Sequence, residues 1–273
     1  MLYGEKQTLI AFLISAAISL LLGLLPKLFL KPKTHVIYAK EGFIIVAFTW
    51  IMLSLVGAVP LVLSGAVTSY ADAFFEIVSG FTTTGSSVIP DVEVLSHGAL
   101  FWRSFTHWVG GMGIIVFVMA ILPNVSERPI HILRAEIPGP TVGKLVPRIK
   151  DTALILYLIY IGMTAIETIM LLFGGMSFFE SLLHAFGTAG TGGFGIKRDS
   201  IAGYSPYIQW VITAFMILFG INFNLYYLML LKKFKAVVTS TELWAYLGII
   251  ASSIAVISVS YTHLRAHETK ANL

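Results

Sequence analysis

Cysteine is absent from the 273 residues, which removes disulfides and thiolate metal sites and leaves the redox compartment without a marker. Charge is scarce as well. Asp, Glu, Lys and Arg make up 12% of the chain against 57% hydrophobic residues, and the mean hydropathy is +0.86. A soluble domain could not hide that much apolar surface. No His-Glu-x-x-His, nucleophile elbow or pair of intramembrane acids occurs, so a membrane enzyme is disfavoured. No cleavage site marks a signal peptide. The net charge of +4 argues only weakly for a nucleic-acid partner, so its distribution matters more than its size.

Runs close to the roughly 20 apolar residues that cross a bilayer lie at about 8–25, 42–65, 98–122, 151–174, 206–231 and 243–260. They predict six transmembrane helices in an all-α polytopic membrane protein. Two shorter apolar stretches, 71–80 and 177–189, follow the second and fourth runs, and each is a candidate pore helix. Basic residues cluster at Lys27, Lys31, Lys33 and Lys40, at Arg128, Arg134, Lys144, Arg148 and Lys150, and at Lys232, Lys233 and Lys235. These clusters share one side if every run spans once and each pore loop returns to its starting face. By the positive-inside rule that side is cytoplasmic, which places Met1 and both pore-loop entrances outside.

The stretch from Phe74 to Ser86 is too short and too polar to span, and its Thr82-Thr83-Thr84-Gly85 reads as a re-entrant loop. Such a loop can turn carbonyl and hydroxyl oxygens toward a dehydrated cation. Irregular backbone is tolerated at membrane depth only where protein or a water-filled cavity covers it. Helix, pore loop and helix are written twice, at 41–122 and 150–231, with Phe74-Phe75-Glu76 and Phe178-Phe179-Glu180 as matching pore-loop starts. Residues 1–40 supply an N-terminal helix and loop. A connector at 123–149 holds Pro129, Pro138, Pro140 and Pro147, the start of a third unit lies at 232–259, and a polar tail occupies 260–273.

Ser79-Gly80-Phe81-Thr82-Thr83-Thr84-Gly85, His107-Trp108-Val109-Gly110-Gly111-Met112-Gly113-Ile114-Ile115, Arg134-Ala135-Glu136-Ile137-Pro138-Gly139-Pro140 and Gly192-Gly193-Phe194 occur in order over about 5–258. Together they resemble the TrkH-type pore-forming subunits of bacterial Trk potassium uptake systems, within the Trk/Ktr/HKT superfamily. The resemblance implies tandem helix–pore-loop–helix repeats of the potassium-channel-like type, four around one pore, of which this sequence holds two and the start of a third. It implies an inner-membrane location, K+ as transported ion with no covalent cofactor, inward conduction, a homodimer in membrane lipid, and a cytoplasmic nucleotide-binding partner of the TrkA type. Against that pattern both ends look cut. Tyr3-Gly4-Glu5-Lys6-Gln7 reads like the loop after a missing helix, and the tail 260–273 reads as a candidate non-native junction. Two other readings stay open: a fragment that does not conduct alone, and a Na+/K+ transporter of the same superfamily.

In the first loop the filter candidates are Thr82, Thr83, Thr84 and Gly85. The second loop has two registers. The Phe-Phe-Glu starts place Ala189 opposite Gly85, whereas the family's Gly-Phe signature places Gly193 there. The glycine is preferred because the backbone requirement sits at the filter, which makes Gly190, Thr191, Gly192 and Gly193 the candidates. The formal G-x-G-x-x-G from Gly190 to Gly195 lacks the βαβ context of a dinucleotide site. Arg103 is a candidate brace to Glu76, or a snorkelling surface residue. Glu167 is an ionisable group inside a span. Small residues after His107 and Trp108 suit close helix packing. Asn222 and Asn224 could line a cavity or link helices. His184 reads as a buried hydrogen-bonder. His263 and His267 have metal-like spacing in the doubtful tail.

Overall fold

The structure is a computed structural model that describes residues 3–29, 39–113 and 149–271. Outside the described residues lie 114–148, which hold most of the connector, the end of the third expected span and the basic residues Arg128, Arg134, Lys144 and Arg148. Lys31 and Lys33 lie outside them too. Two compact units are present, Met1–Gly220 and Ile221–Leu273.

The first unit is built from seven described helices, with no strand among its described residues. Two long apolar helices, α1 (Lys6–Phe29) and α2 (Ala39–Leu63), come first. Both leave large side chains such as Leu13, Leu20, Phe43 and Phe48 exposed, which suits surfaces solvated by lipid tails rather than water. The short helix α3 (Tyr70–Phe81) begins at Ser69, whose hydroxyl accepts from the Asp72 N–H. Its buried face, Ala73, Ile77 and Phe81, packs in one cluster with Ala58 and Leu61 of α2 and with Ala99, Leu100 and Val109 of α4 (His97–Met112). Ser96 caps α4 by accepting from the Ala99 N–H.

The motif then repeats. A long apolar helix α5 (Ile149–Phe173) leads to a short helix α6 (Phe178–Ala189), capped by a reciprocal Ser177 and Glu180 box, and to α7 (Pro206–Phe219) with proline in its first turn. The short apolar stretches at 71–80 and 177–189 form the helices α3 and α6, of 12 residues each.

One expectation fails. The run 206–231 is not a single helix, because α7 ends at Phe219 and α8 (Phe223–Leu230) starts afresh. The cause is local: after Gly220, the Asn222 side chain accepts from the Asn224 N–H at 3.0 Å and caps the new helix. In the second unit, α8 and a short α9 (Phe234–Val238) precede α10 (Thr241–Ala271). The drop into polar sequence near 260 is not accompanied by a helix break. Among the described residues four helices are long and apolar enough to cross a membrane, over Lys6–Pro26, Phe43–Leu63, Leu154–Phe173 and Thr241–Val259.

Candidate functional site

The two loops after α3 and α6 share one backbone pattern. Behind α3, the N–H groups of Thr82, Thr83 and Thr84 donate to the carbonyls of Val78, Gly80 and Ser79. Behind α6, those of Gly190, Thr191 and Gly192 donate to Phe186, Thr188 and Gly187. Thr83 and Thr191 both have positive φ, 55° and 52°, and Gly85 and Gly193 follow with 77° and 72°. The structure therefore sets Gly193 in the place of Gly85. The Phe-Phe-Glu match is displaced by one helical turn: Phe178-Phe179-Glu180 open α6, whereas Phe74-Phe75-Glu76 lie inside α3. A sequence signal for the right register does exist in Ser69-x-x-Asp72 and Ser177-x-x-Glu180, the serine-to-acid spacing of a helix start.

The loops also touch. A Cβ placed on Gly85 would overlap the Gly192 carbonyl oxygen, so the first loop needs glycine both for its left-handed φ and for this approach. The C-terminal ends of α3 and α6 run into the two loops, and the partial negative charge of a helix C-terminus favours a cation there. Thr82, Thr84, Thr191 and Gly193 are exposed, while Gly190 is buried.

A buried network holds the chain that leaves the first loop. Glu76 Oε1 accepts from Ser87 Oγ and from the Val88 N–H, both at 2.6 Å. Glu76 Oε2 pairs with Arg103 Nε at 3.0 Å. The same guanidinium donates to Ser87 Oγ and lies 5.1 Å from the Phe194 ring centroid, just past the second loop. Arg103 is thus a brace rather than a surface residue. Ser87 and Phe194 as its partners were not legible beforehand, because nothing in their local sequence marks them.

Helix α4 forms the wall behind both loops. A Cβ on Gly110 would collide with the Phe81 carbonyl, and one on Gly111 would lie 2.5 Å from the Tyr160 hydroxyl and 2.9 Å from the Ala189 carbonyl. The His107 and Phe194 rings meet tilted, with centroids 4.3 Å apart, and Trp108 donates to the Thr164 hydroxyl at 3.2 Å. His184 meets the Tyr204 hydroxyl at 3.3 Å. Glu167 is fully buried beside Thr188. The Thr188 hydroxyl already donates to the His184 carbonyl at 2.8 Å, so neither Glu167 oxygen receives a hydrogen bond among the described residues. No cluster of three metal-ligating side chains occurs among those residues, and the side chains of His263 and His267 lie outside them.

Sequence reading also missed Glu5. Its carboxylate accepts from the N–H groups of His97 and Gly98 at 2.8 and 3.1 Å, capping α4 from far along the chain. Burial raises its pKa, but those two N–H groups and the His97 ring together hold it below the ordinary carboxylate value.

Several apolar helices of membrane-spanning length, alternating with short helices and loops, define a multi-pass membrane protein. The chain belongs to the TrkH family of cation transport proteins, which it matches over residues 8–249. It is similar to the Trk system potassium uptake protein TrkH of Escherichia coli (strain K12), 41% identical over 196 residues, covering 70% of this chain and 40% of that one. It is 32% identical to the Trk system potassium uptake protein TrkG of the same strain over 273 residues, covering 98% of this chain and 56% of that one. The crystal structure of the potassium transporter TrkH from Vibrio parahaemolyticus matches with a TM-score of 0.66 and 31% identity, over 80% of this chain and 44% of that one. The chain spans about half the length of the curated relatives it matches.

Proposed function

We propose that this chain supplies two of the loops lining the potassium path of a Trk-type subunit, with Thr82, Thr83, Thr84 and Gly85, and Gly190, Thr191, Gly192 and Gly193, offering backbone oxygens to K+. The observation that carries the reading is the shared backbone pattern of the two loops and their meeting at Gly85 and Gly192. Ion selection by such oxygens needs no covalent chemistry, so the activity is transport rather than catalysis, with K+ as cargo and no other cofactor. The names of the relatives, potassium uptake proteins, support the choice of ion. An inner-membrane homodimer with a TrkA-type nucleotide-binding partner docked on the basic loops completes the proposal.

The exposure of Thr82, Thr84, Thr191 and Gly193 favours a second reading, in which the chain furnishes half of a filter and conducts only when further loops complete the ring. Rubidium uptake in a strain lacking its own potassium uptake systems separates the two. One arm expresses this chain, and the other a chimera in which residues 8–249 replace the matching stretch of the Escherichia coli TrkH. Rescue by both supports conduction by the chain, and rescue by the chimera alone supports the half-filter. Rescue by neither overturns the potassium reading, while equal sodium and rubidium uptake transfers it to a Na+/K+ transporter.

A further inference from the structure

We infer that His107 is the rear wall of the second loop, a positioning residue that fixes where the Gly190–Gly193 backbone lies and so sets its ion preference. The inference rests on the loop reading given under Proposed function. Its starting point is a difference between two loops that otherwise repeat each other. In the second loop, glycine stands at 190 and 192 where the first carries Thr82 and Thr84. Backbone conformation does not demand those glycines, since Gly190 has φ of −78° and Gly192, unlike Thr191 and Gly193, stays out of the left-handed region. Space does. A Cβ on Gly192 would lie 2.5 Å from His107 Nδ1 and 2.8 Å from Cε1, and a Cβ on Gly190 would lie 2.6 Å from the His107 carbonyl oxygen.

The first loop braces itself with side chains. Thr82 Oγ1 donates to the Val78 carbonyl at 2.7 Å and sits 2.8 Å from Thr84 Oγ1. Glycines cannot do this, and in the second loop the His107 imidazole fills the volume that a side chain at 192 would occupy, while the His107 carbonyl fills that of one at 190. His107 is 3% exposed and packed on Phe194, so it has little freedom to retreat. Its Nδ1 is buried with no hydrogen-bond partner among the described residues, a costly arrangement that an aliphatic side chain would avoid. One turn earlier on α4, Arg103 holds the exit of the first loop through Glu76. A single helix thereby references both loops. Discrimination between cations by carbonyl oxygens depends on where those oxygens are held. The Gly192 carbonyl, which faces Gly85, is attached to the residue His107 presses upon.

The geometry dictates a rescue test with an internal control. Gly192→Ala introduces a clash with an imidazole, which His107→Ala removes. Gly190→Ala introduces a clash with the His107 backbone, which His107→Ala leaves in place. In the purified full chain, Gly192→Ala and Gly190→Ala should each lower the melting temperature, and adding His107→Ala should recover the first loss but not the second. In the chimera, His107→Ala alone should keep membrane insertion and rubidium uptake while lowering the preference for rubidium over sodium by at least about tenfold. No recovery in the His107→Ala/Gly192→Ala pair, or recovery of both glycine variants alike, overturns the wall. An unchanged ion preference in His107→Ala overturns its role in selection even if the melting temperatures behave as expected. Silence of the unmutated chimera is a different result: it defeats the loop reading itself, and this inference with it.

Discussion

Arg103 Nε and Glu76 Oε2 are 3.0 Å apart, with side chains 4% and 2% exposed, and this pair ties helix α4 to the middle of the short helix α3. Desolvating two charges is expensive, and the Coulombic return is adequate only when the remaining oxygens and donors are satisfied. Here they are. Ser87 and the Val88 N–H take the second carboxylate oxygen, and the guanidinium also reaches Ser87. The pair therefore fixes the chain just beyond Gly85 as well as the helix before it.

Removing one partner strands the other. Arg103→Leu is expected to cost about 3–5 kcal/mol of stability because it leaves the carboxylate buried and unpaired. Glu76→Gln should cost less, since its amide oxygen can still accept from the Val88 N–H. The double variant Glu76→Leu/Arg103→Leu should lose clearly less than the two single leucine variants added together, as residues in one network do not act independently. Thermal melts of the four purified variants check this, and strict additivity would show that the pair does not act as a unit.

Glu5 gives a pH dependence whose sign is fixed by its depressed pKa. A carboxylate held lower in the folded state than in the unfolded state contributes stability that is present above the unfolded value, about 4.3, and lost as pH falls through the folded value below it. Hydrogen bonds from the His97 and Gly98 N–H groups are the source, and burial opposes them. Melting temperature should therefore fall more steeply with acidification below about pH 4.3 in the parent chain than in Glu5→Gln. Parallel curves would remove Glu5 from the cap of α4.

Much of this architecture is readable from composition and spacing, and the exceptions have physical causes. Apolar runs locate the long helices because a bilayer demands length and hydrophobicity at once. The short helices α3 and α6 stand out because they satisfy only the second demand. The broken run at 206–231 is misread because hydropathy does not register a cap: Phe219, Ile221 and Phe223 are apolar, and only Gly220 and Asn222 between them carry the signal. The Phe-Phe-Glu match misleads because a displacement by one helical turn leaves side-chain chemistry looking alike, whereas Ser177 and Glu180 mark a true helix start. Contacts such as Glu5 with His97, or His107 with Gly192, join distant segments and have no local signature at all.

Asn222 is open to a direct test within the second unit. Its Oδ1 caps α8 through the Asn224 N–H, while its Nδ2 donates to both Glu242 oxygens at 3.0 and 3.2 Å. Asn222→Ala should cost about 1 kcal/mol through the lost cap. Asn222→Asp keeps an acceptor for the cap but sets a second carboxylate against Glu242, so its penalty should shrink as salt is added. A salt-independent loss in Asn222→Asp would rule out the contact with Glu242.

Gly85 and Gly193 share a backbone conformation but not surroundings, and that separates two reasons for glycine. Both would pay the left-handed penalty of roughly 1–2 kcal/mol on gaining a Cβ. At Gly193 nothing else stands in the way, the nearest heavy atom being Met216 Cε at 3.8 Å. At Gly85 the new carbon overlaps the Gly192 carbonyl oxygen, so the second loop must move as well. In the chimera, Gly193→Ala should retain measurable selective rubidium uptake with a lowered melting temperature. Gly85→Ala and Gly85→Asp should abolish selective uptake while leaving membrane insertion intact. Uptake assays with rubidium and sodium side by side decide the matter: if the two alanine variants behave alike, backbone strain alone governs both positions, and the contact between Gly85 and Gly192 does not control the ion path.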